Sequence, residues 1–166
     1  ESVPYLVRAL HSQDGFARYG AVNALGEILK KPEGGGAERQ HGLDALVSAM
    51  ADEDARIQCR AIYSIAAAAI ESGDTELAAR LVPLFIGALE DPEGKVRLAA
   101  ATSLGDLGSQ ASPAVKPLIR RLSDPEPNVQ LEAALALSSV GTRPVMMRKS
   151  ASAAKPKNNN PITSAE

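Results

Sequence analysis

Apolar residues along this chain fall at helical rather than strand spacing, and the stripes come in pairs separated by tight turns. In the clearest stretch, Val96, Ala99, Ala100, Ser103, Leu104 and Leu107 recur three and four apart behind the turn Asp91-Pro92-Glu93-Gly94. Asp-Pro stops one helix, Gly94 loosens the chain, and an unbroken run of helix formers follows. Small side chains dominate that stripe, so a second helix can come close. Weaker copies of the same turn and helix recur. Leu25, Ile65, Leu104 and Leu137 mark the middle of each second helix, 40, 39 and 33 residues apart. Leu10, Met50, Leu89 and Leu122 end each first helix. Ala17, Ile57, Val96 and Val129 open each second one, and Ala21, Ala61, Ala100 and Ala133 keep its buried face small. Asp52, Asp91 and Asp124 sit in the turns, with Ser12 in the first copy. Matches at fixed offsets identify a repeat protein. A lone two-helix unit cannot hide its apolar face, whereas stacked units share one core.

We therefore predict an all-α chain, an α–α superhelix of four helical hairpins filling residues 1–141, at about 2–30, 42–71, 75–108 and 112–141. Ser2 is placed to cap a first helix that carries Pro4 in its opening turn and runs to His11. Lys31 to Gly42, with Pro32 and Gly34-Gly35-Gly36, reads as a flexible connector. Asp74 is a candidate N-cap behind Ser72-Gly73, Pro83 should kink the helix that contains it, and Gly141 is a candidate C-cap. Beyond Gly141 the periodicity stops. Residues 142–166 hold Pro144, Pro156, Pro161 and the run Asn158-Asn159-Asn160, with too little apolar surface to offset the entropy of ordering them. They read as a disordered basic tail, in which Val145-Met146-Met147 is a local sticky patch and Arg148-Lys149-Ser150 a candidate kinase or nuclear-import site.

Composition narrows the function. At 45% hydrophobic and 23% charged the chain is of globular type, and 3% aromatics with no Trp suits thin, close-packed helix layers. Residues 1–141 carry 13 basic against 19 acidic side chains, a balance of −6; residues 142–166 carry five against one, or +4. An acidic body lacks the clustered Lys and Arg that nucleic-acid binding needs. Cys59 is the only cysteine, which excludes an internal disulfide and a Cys-based zinc site; within a helix it reads as an inert, half-buried thiol. The longest apolar run, Ile65 to Ile70, is too short to span a bilayer, so no membrane contact is expected. A cytoplasmic location is expected, with the nucleus as an alternative. Gly34-Gly35-Gly36 lacks a following Lys-Ser/Thr and so makes no phosphate loop. The chain opens on Glu1 rather than Met, which reads as a processed chain or a piece cut from something longer.

The third copy carries a resemblance. Val82-Pro83-Leu84-Phe85-Ile86-Gly87-Ala88-Leu89-Glu90-Asp91-Pro92, followed by Val96-Arg97-Leu98-Ala99-Ala100-Ala101-Thr102-Ser103-Leu104-Gly105, resembles a HEAT repeat of the short, alanine-rich kind also seen in phycobilisome-lyase-like proteins. The likeness covers about residues 2–141, the fourth copy matching well and the first two being more diverged. It implies a right-handed solenoid. It also implies a polar ladder between neighbouring repeats, built from a turn Asp and an Arg six residues on. Asp91 and Arg97 supply both parts; Asp52 and Asp124 keep the acid while Gln58 and Gln130 replace the base; Arg18 keeps the base beside Ser12. Exposed pairs of that kind contribute about 0.2–1 kcal/mol, so the ladder is assigned to alignment rather than stability. HEAT-like di-iron oxygenases carry paired His-Glu steps, whereas neither His11 nor His41 is followed by Glu; no metal or other cofactor is expected. HEAT-like DNA glycosylases use a basic, Trp-bearing face, which is missing here.

The expected role is binding without catalysis, as a scaffold or adaptor for a protein partner, a peptide or a helix. The alternative is a lyase-type or chaperone-type HEAT protein holding a chromophore- or cofactor-bearing client. Second helices line the concave face of such solenoids. The outward positions there are weakly polar: Tyr19, Val22 and Asn23, then Cys59, Ile62 and Tyr63, then Leu98, Ala101 and Thr102, then Leu131, Ala134 and Leu135. They read as a shallow groove anchored by Tyr19 and Tyr63, with Asn23 and Thr102 along it and Arg56, Arg60, Glu27 and Asp106 at its rim. The competing reading is that neighbouring helices cover the stripe and the charges are merely solvated.

Overall fold

The structure is a computed structural model that describes residues 2–30 and 36–141. Eight α-helices and one 3₁₀ segment follow in order: α1 Val3–Ala9, α2 Gly15–Lys30, α3 Gly36–Ala49, α4 Ala55–Ser72, α5 Thr75–Ala88, α6 Gly94–Asp106, the 3₁₀ segment Gly108–Ala114, α7 Val115–Arg121 and α8 Pro127–Val140. No strand occurs among the described residues. Each odd-numbered helix packs against the even-numbered helix that follows it. The even-numbered helices then stack on one another in a row, α2 on α4, α4 on α6 and α6 on α8. One apolar core runs the length of this stack, through Leu25, Leu29, Leu46, Ile62, Ile65, Leu81, Leu104 and Leu118. Phe85 is its one large ring, fully buried.

The turns repeat one hydrogen bond. Ser12 Oγ accepts from the Asp14 N–H at 3.1 Å, Asp52 Oδ1 from Asp54 at 2.9 Å, Asp91 Oδ1 from Glu93 at 2.8 Å and Asp124 Oδ1 from Glu126 at 3.0 Å. A short polar side chain bonded two residues ahead fixes the turn, which is why Ser serves where the other copies use Asp. Asp54 and Asp74 then cap α4 and α5, accepting from the N–H groups of Arg56 and Leu77 at 2.9 Å each. Gly73, at φ 64°, closes α4 in the left-handed region.

The ionic contacts join neighbouring turns, each ladder arginine reaching the acid of the following repeat. Arg97 does not pair with the Asp91 carboxylate. Its Nη1 donates to the Asp91 and Pro92 carbonyls at 2.9 Å each, while Nε and Nη2 reach Asp124 in the following turn at 2.9 and 2.8 Å. Arg18 likewise bonds the Ser12 and Gln13 carbonyls and forks onto Asp52 at 2.9 and 3.1 Å. Gln130 retains the carbonyl half, its Nε2 donating to the Asp124 carbonyl at 2.7 Å. The Arg97–Asp124 pair is buried, with side-chain exposures of 7% and 0%, so the small value of an exposed pair does not apply to it.

Several expected boundaries move. Part of the expected connector is helix: α3 begins at Gly36, and the Arg39 guanidinium donates back to the Leu29 carbonyl at the end of α2. Gly42 is a packing residue, since a Cβ there would lie 3.3 Å from Leu29 Cδ2. Ser2 makes no side-chain cap bond, and α1 ends at Ala9 rather than His11. Pro83 is exposed and α5 continues through it. The first helix of the last copy is split into the 3₁₀ segment and α7, because Pro113 and Pro117 each remove an N–H from what would be one ladder. Gly141 is the C-cap of α8 as expected, its φ of −77° being helical rather than left-handed. Residues 31–35 of the connector and the whole of 142–166, including Val145-Met146-Met147 and Arg148-Lys149-Ser150, lie outside the described residues.

Candidate partner-binding face

Stacking decides which outward positions stay open. Val22, Ile62 and Ala101 are completely buried, so neighbouring helices do cover that row. Ala134, in the same register on α8, is exposed. Two flanking rows remain accessible. One runs through Tyr19, Cys59, Leu98 and Leu131, the other through Asn23, Tyr63, Thr102 and Leu135. Tyr19 and Tyr63 are a little over a third exposed, Leu131 and Leu135 more than half.

Between α2 and α4 these rows open into a groove of about 540 Å³ lined by Gly15, Phe16, Tyr19, Asp54, Arg56, Cys59, Arg60 and Tyr63. It gathers four of the residues singled out from the sequence: Tyr19, Arg56, Arg60 and Tyr63. Asn23 joins through Arg60, whose Nε donates to its Oδ1. Thr102 lies beside Tyr63, though its hydroxyl is donated to the Leu98 carbonyl at 3.0 Å. Glu27 pairs with Lys30 at 2.8 Å, and Asp106 is the exposed last residue of α6; neither lines the groove. Phe16 was not singled out, yet its ring is 80% exposed at the mouth. The repeat register held the signal, because the matching positions are Arg56, Lys95 and Asn128, all polar.

The electrostatics are local. Arg56 forks onto Asp54 with a shortest contact of 2.6 Å, and together with its own backbone N–H it holds that carboxyl down to about 2. Asp54 is thus ionised and occupied throughout the physiological range. Burial pushes both the Cys59 thiol and the Tyr63 hydroxyl up, so neither is an activated nucleophile. On the opposite side of α1 and α3, a cleft of about 370 Å³ contains His11, His41, Asp44 and Asp52. No group of three His, Cys, Asp or Glu stands close enough to hold a metal ion among the described residues. Among them, too, no helix is long and apolar enough to cross a membrane.

Residues 81–151 match the model of the family described as HEAT repeats. Those residues carry HEAT repeats. Solved structures of the same fold match over 84% of this chain. An engineered protein, a Northeast Structural Genomics Consortium target, superposes with a TM-score of 0.63 at 25% identity, and a second engineered target with 0.59 at 24%. This chain spans 62% of the first and 38% of the second. The complex of CpcE and CpcF of phycocyanin lyase from Nostoc sp. PCC7120 superposes with a TM-score of 0.57 at 21% identity, covering 78% of that chain. No curated protein matches this chain.

Proposed function

We propose that this HEAT solenoid is a non-catalytic scaffold or adaptor that binds a protein partner, a peptide or a helix, along the face lined by α2, α4, α6 and α8. The observation that carries the reading is the pair of open rows crossing all four helices. Their large apolar members Tyr19, Tyr63, Leu131 and Leu135 are left accessible, with Phe16 exposed beside them at the α2/α4 groove. Aromatic rings held on rigid helices give large contact area at little entropic cost, the usual make-up of an interface anchor. The described residues offer no activated nucleophile on this face, and the ladder arginines are spent on alignment. A cytoplasmic or nuclear setting fits an unanchored scaffold of this type. The lyase complex shares the fold, and that likeness alone brings no chemistry to these residues.

Affinity capture with the full chain tests the reading. A stoichiometric, unmodified partner should be retained by wild type and by Leu84→Ser, which alters the exposed face of α5. Tyr63→Ala should weaken the same complex by about tenfold or more. A complex indifferent to Tyr63→Ala and to Leu131→Ser would end the proposal, and a client released with a covalently altered group would move it to a lyase-type role.

A further inference from the structure

The α2/α4 end of the open face differs chemically from the rest. Phe16 occupies a position where the other three copies place Arg56, Lys95 and Asn128, so the repeat architecture has no use for a ring there. At 80% exposure that ring contributes nothing to stacking, and with Tyr19 and Tyr63 it leaves a cradle of aromatic surface facing solvent. Single exposed apolar residues need no explanation, but three rings around one groove do. The charges are equally specific. Of the ionic side chains lining the groove, Asp54 is consumed by Arg56, whereas Arg60 donates to the neutral amide of Asn23 and pairs with no carboxylate among the described residues. The balance in the groove is one positive charge, on a body whose balance is −6. Further along the face carboxylates come in: burial chiefly pushes the Tyr63 hydroxyl up, and Glu132 on α8 and Asp106 on α6 add to it.

We propose that the groove between α2 and α4 is the anchor for a peptide segment carrying an aspartate or glutamate next to a bulky apolar side chain. This rests on the reading of the face given above and names its partner chemistry. The apolar group seats among Phe16, Tyr19 and Tyr63, and the carboxylate meets the Arg60 guanidinium, a planar fork suited to it. The acidic end of the segment lies over α2 and α4, away from Asp106 and Glu132, and its less acidic end runs towards α6 and α8. Cys59 forms part of the groove wall, so an occupant would shield the one thiol of the sequence.

The test selects binders from a displayed random library of peptides about nine residues long. That is the extended length needed to cross four stacked helices at roughly 8–10 Å per step. Selected peptides should place Asp or Glu beside Phe, Trp or Leu, and should slow alkylation of Cys59 by N-ethylmaleimide. Phe16→Ser should weaken them by about tenfold or more, and Arg60→Gln should weaken them while flattening their salt dependence. Selected peptides that are basic, lack a carboxylate or ignore both substitutions would overturn the proposal. Binding abolished by Leu131→Ser and Leu135→Ser but indifferent to Phe16→Ser would overturn it while leaving the wider face intact. If no peptide is recovered, or none responds to any of these substitutions, the face itself falls with it.

Discussion

At the scale of single residues, Asp124 joins three elements through one carboxylate. It is fully buried and accepts two bonds from Arg97, one from the Glu126 N–H and one from Arg121 at 3.3 Å. The Arg97 guanidinium bonds lower its pKa below the ordinary carboxylate value; burial works against them and loses. A carboxyl depressed on folding adds stability that is complete above its unfolded pKa of about 4 and is lost as pH falls towards the folded value. Arg97 is shifted upward and stays charged across that window, so it adds no slope of its own. Asp124→Asn should therefore flatten the acid limb of a urea-stability profile below about pH 4. Asp124→Ala, which strands the guanidinium, should cost about 3 kcal/mol at neutral pH. An acid limb unchanged in Asp124→Asn would mean that other carboxylates dominate it. This register was only half readable beforehand. The offset from turn acid to arginine was visible, but the arginine spends that offset on its own turn's carbonyls and crosses to the next turn for its acid. Only a stacked structure reveals that step.

At the scale of the helix pair, close approach rests on small residues set opposite one another. A Cβ on Gly26 of α2 would sit 2.6 Å from Ser64 Oγ and 2.8 Å from its Cβ, and one on Gly105 of α6 would sit 3.1 Å from the Ala136 Cα. Mid-helix glycine costs about 1 kcal/mol relative to alanine, so the sequence forgoes propensity for proximity. Gly26→Ala should thus destabilise by about 1–2 kcal/mol despite the better helix former, and Ser64→Gly in the same chain should recover much of the loss. A melt showing Gly26→Ala more stable than wild type would show that α2 and α4 can separate at no cost. Element types were legible wherever stripe and turn agreed, as in α4, α5, α6 and α8. They were not legible where glycine and proline carry two meanings. Gly36 and Gly42 read as linker because glycine usually breaks helices, yet Gly42 is small to let α2 lie against α3. Pro113 and Pro117 were spaced closely enough to sit in one helix by pattern, but their missing N–H groups divide it.

At the scale of the whole molecule, stability is a chain of neighbour contacts, each repeat burying the face of the one before. Leu104, fully buried in the third of these layers, should cost about 2–5 kcal/mol on replacement by Ala. Denaturant melts of Leu104→Ala that match wild type would place it outside the core. The open face was legible as two tyrosines at outward positions of successive second helices, but the sequence mixed the covered row of Val22, Ile62 and Ala101 with its accessible neighbours. Periodicity names a helix side; only packing tells which part of that side the next helix takes. The ladder has one further consequence. Guanidinium clasps tie the first turn to the second and the third to the fourth, whereas Gln58 leaves the central junction with no bond to Asp91 among the described residues. Two stiff halves joined by a softer waist would flex there, letting the rod adjust its curvature to whatever lies against it without loosening either half.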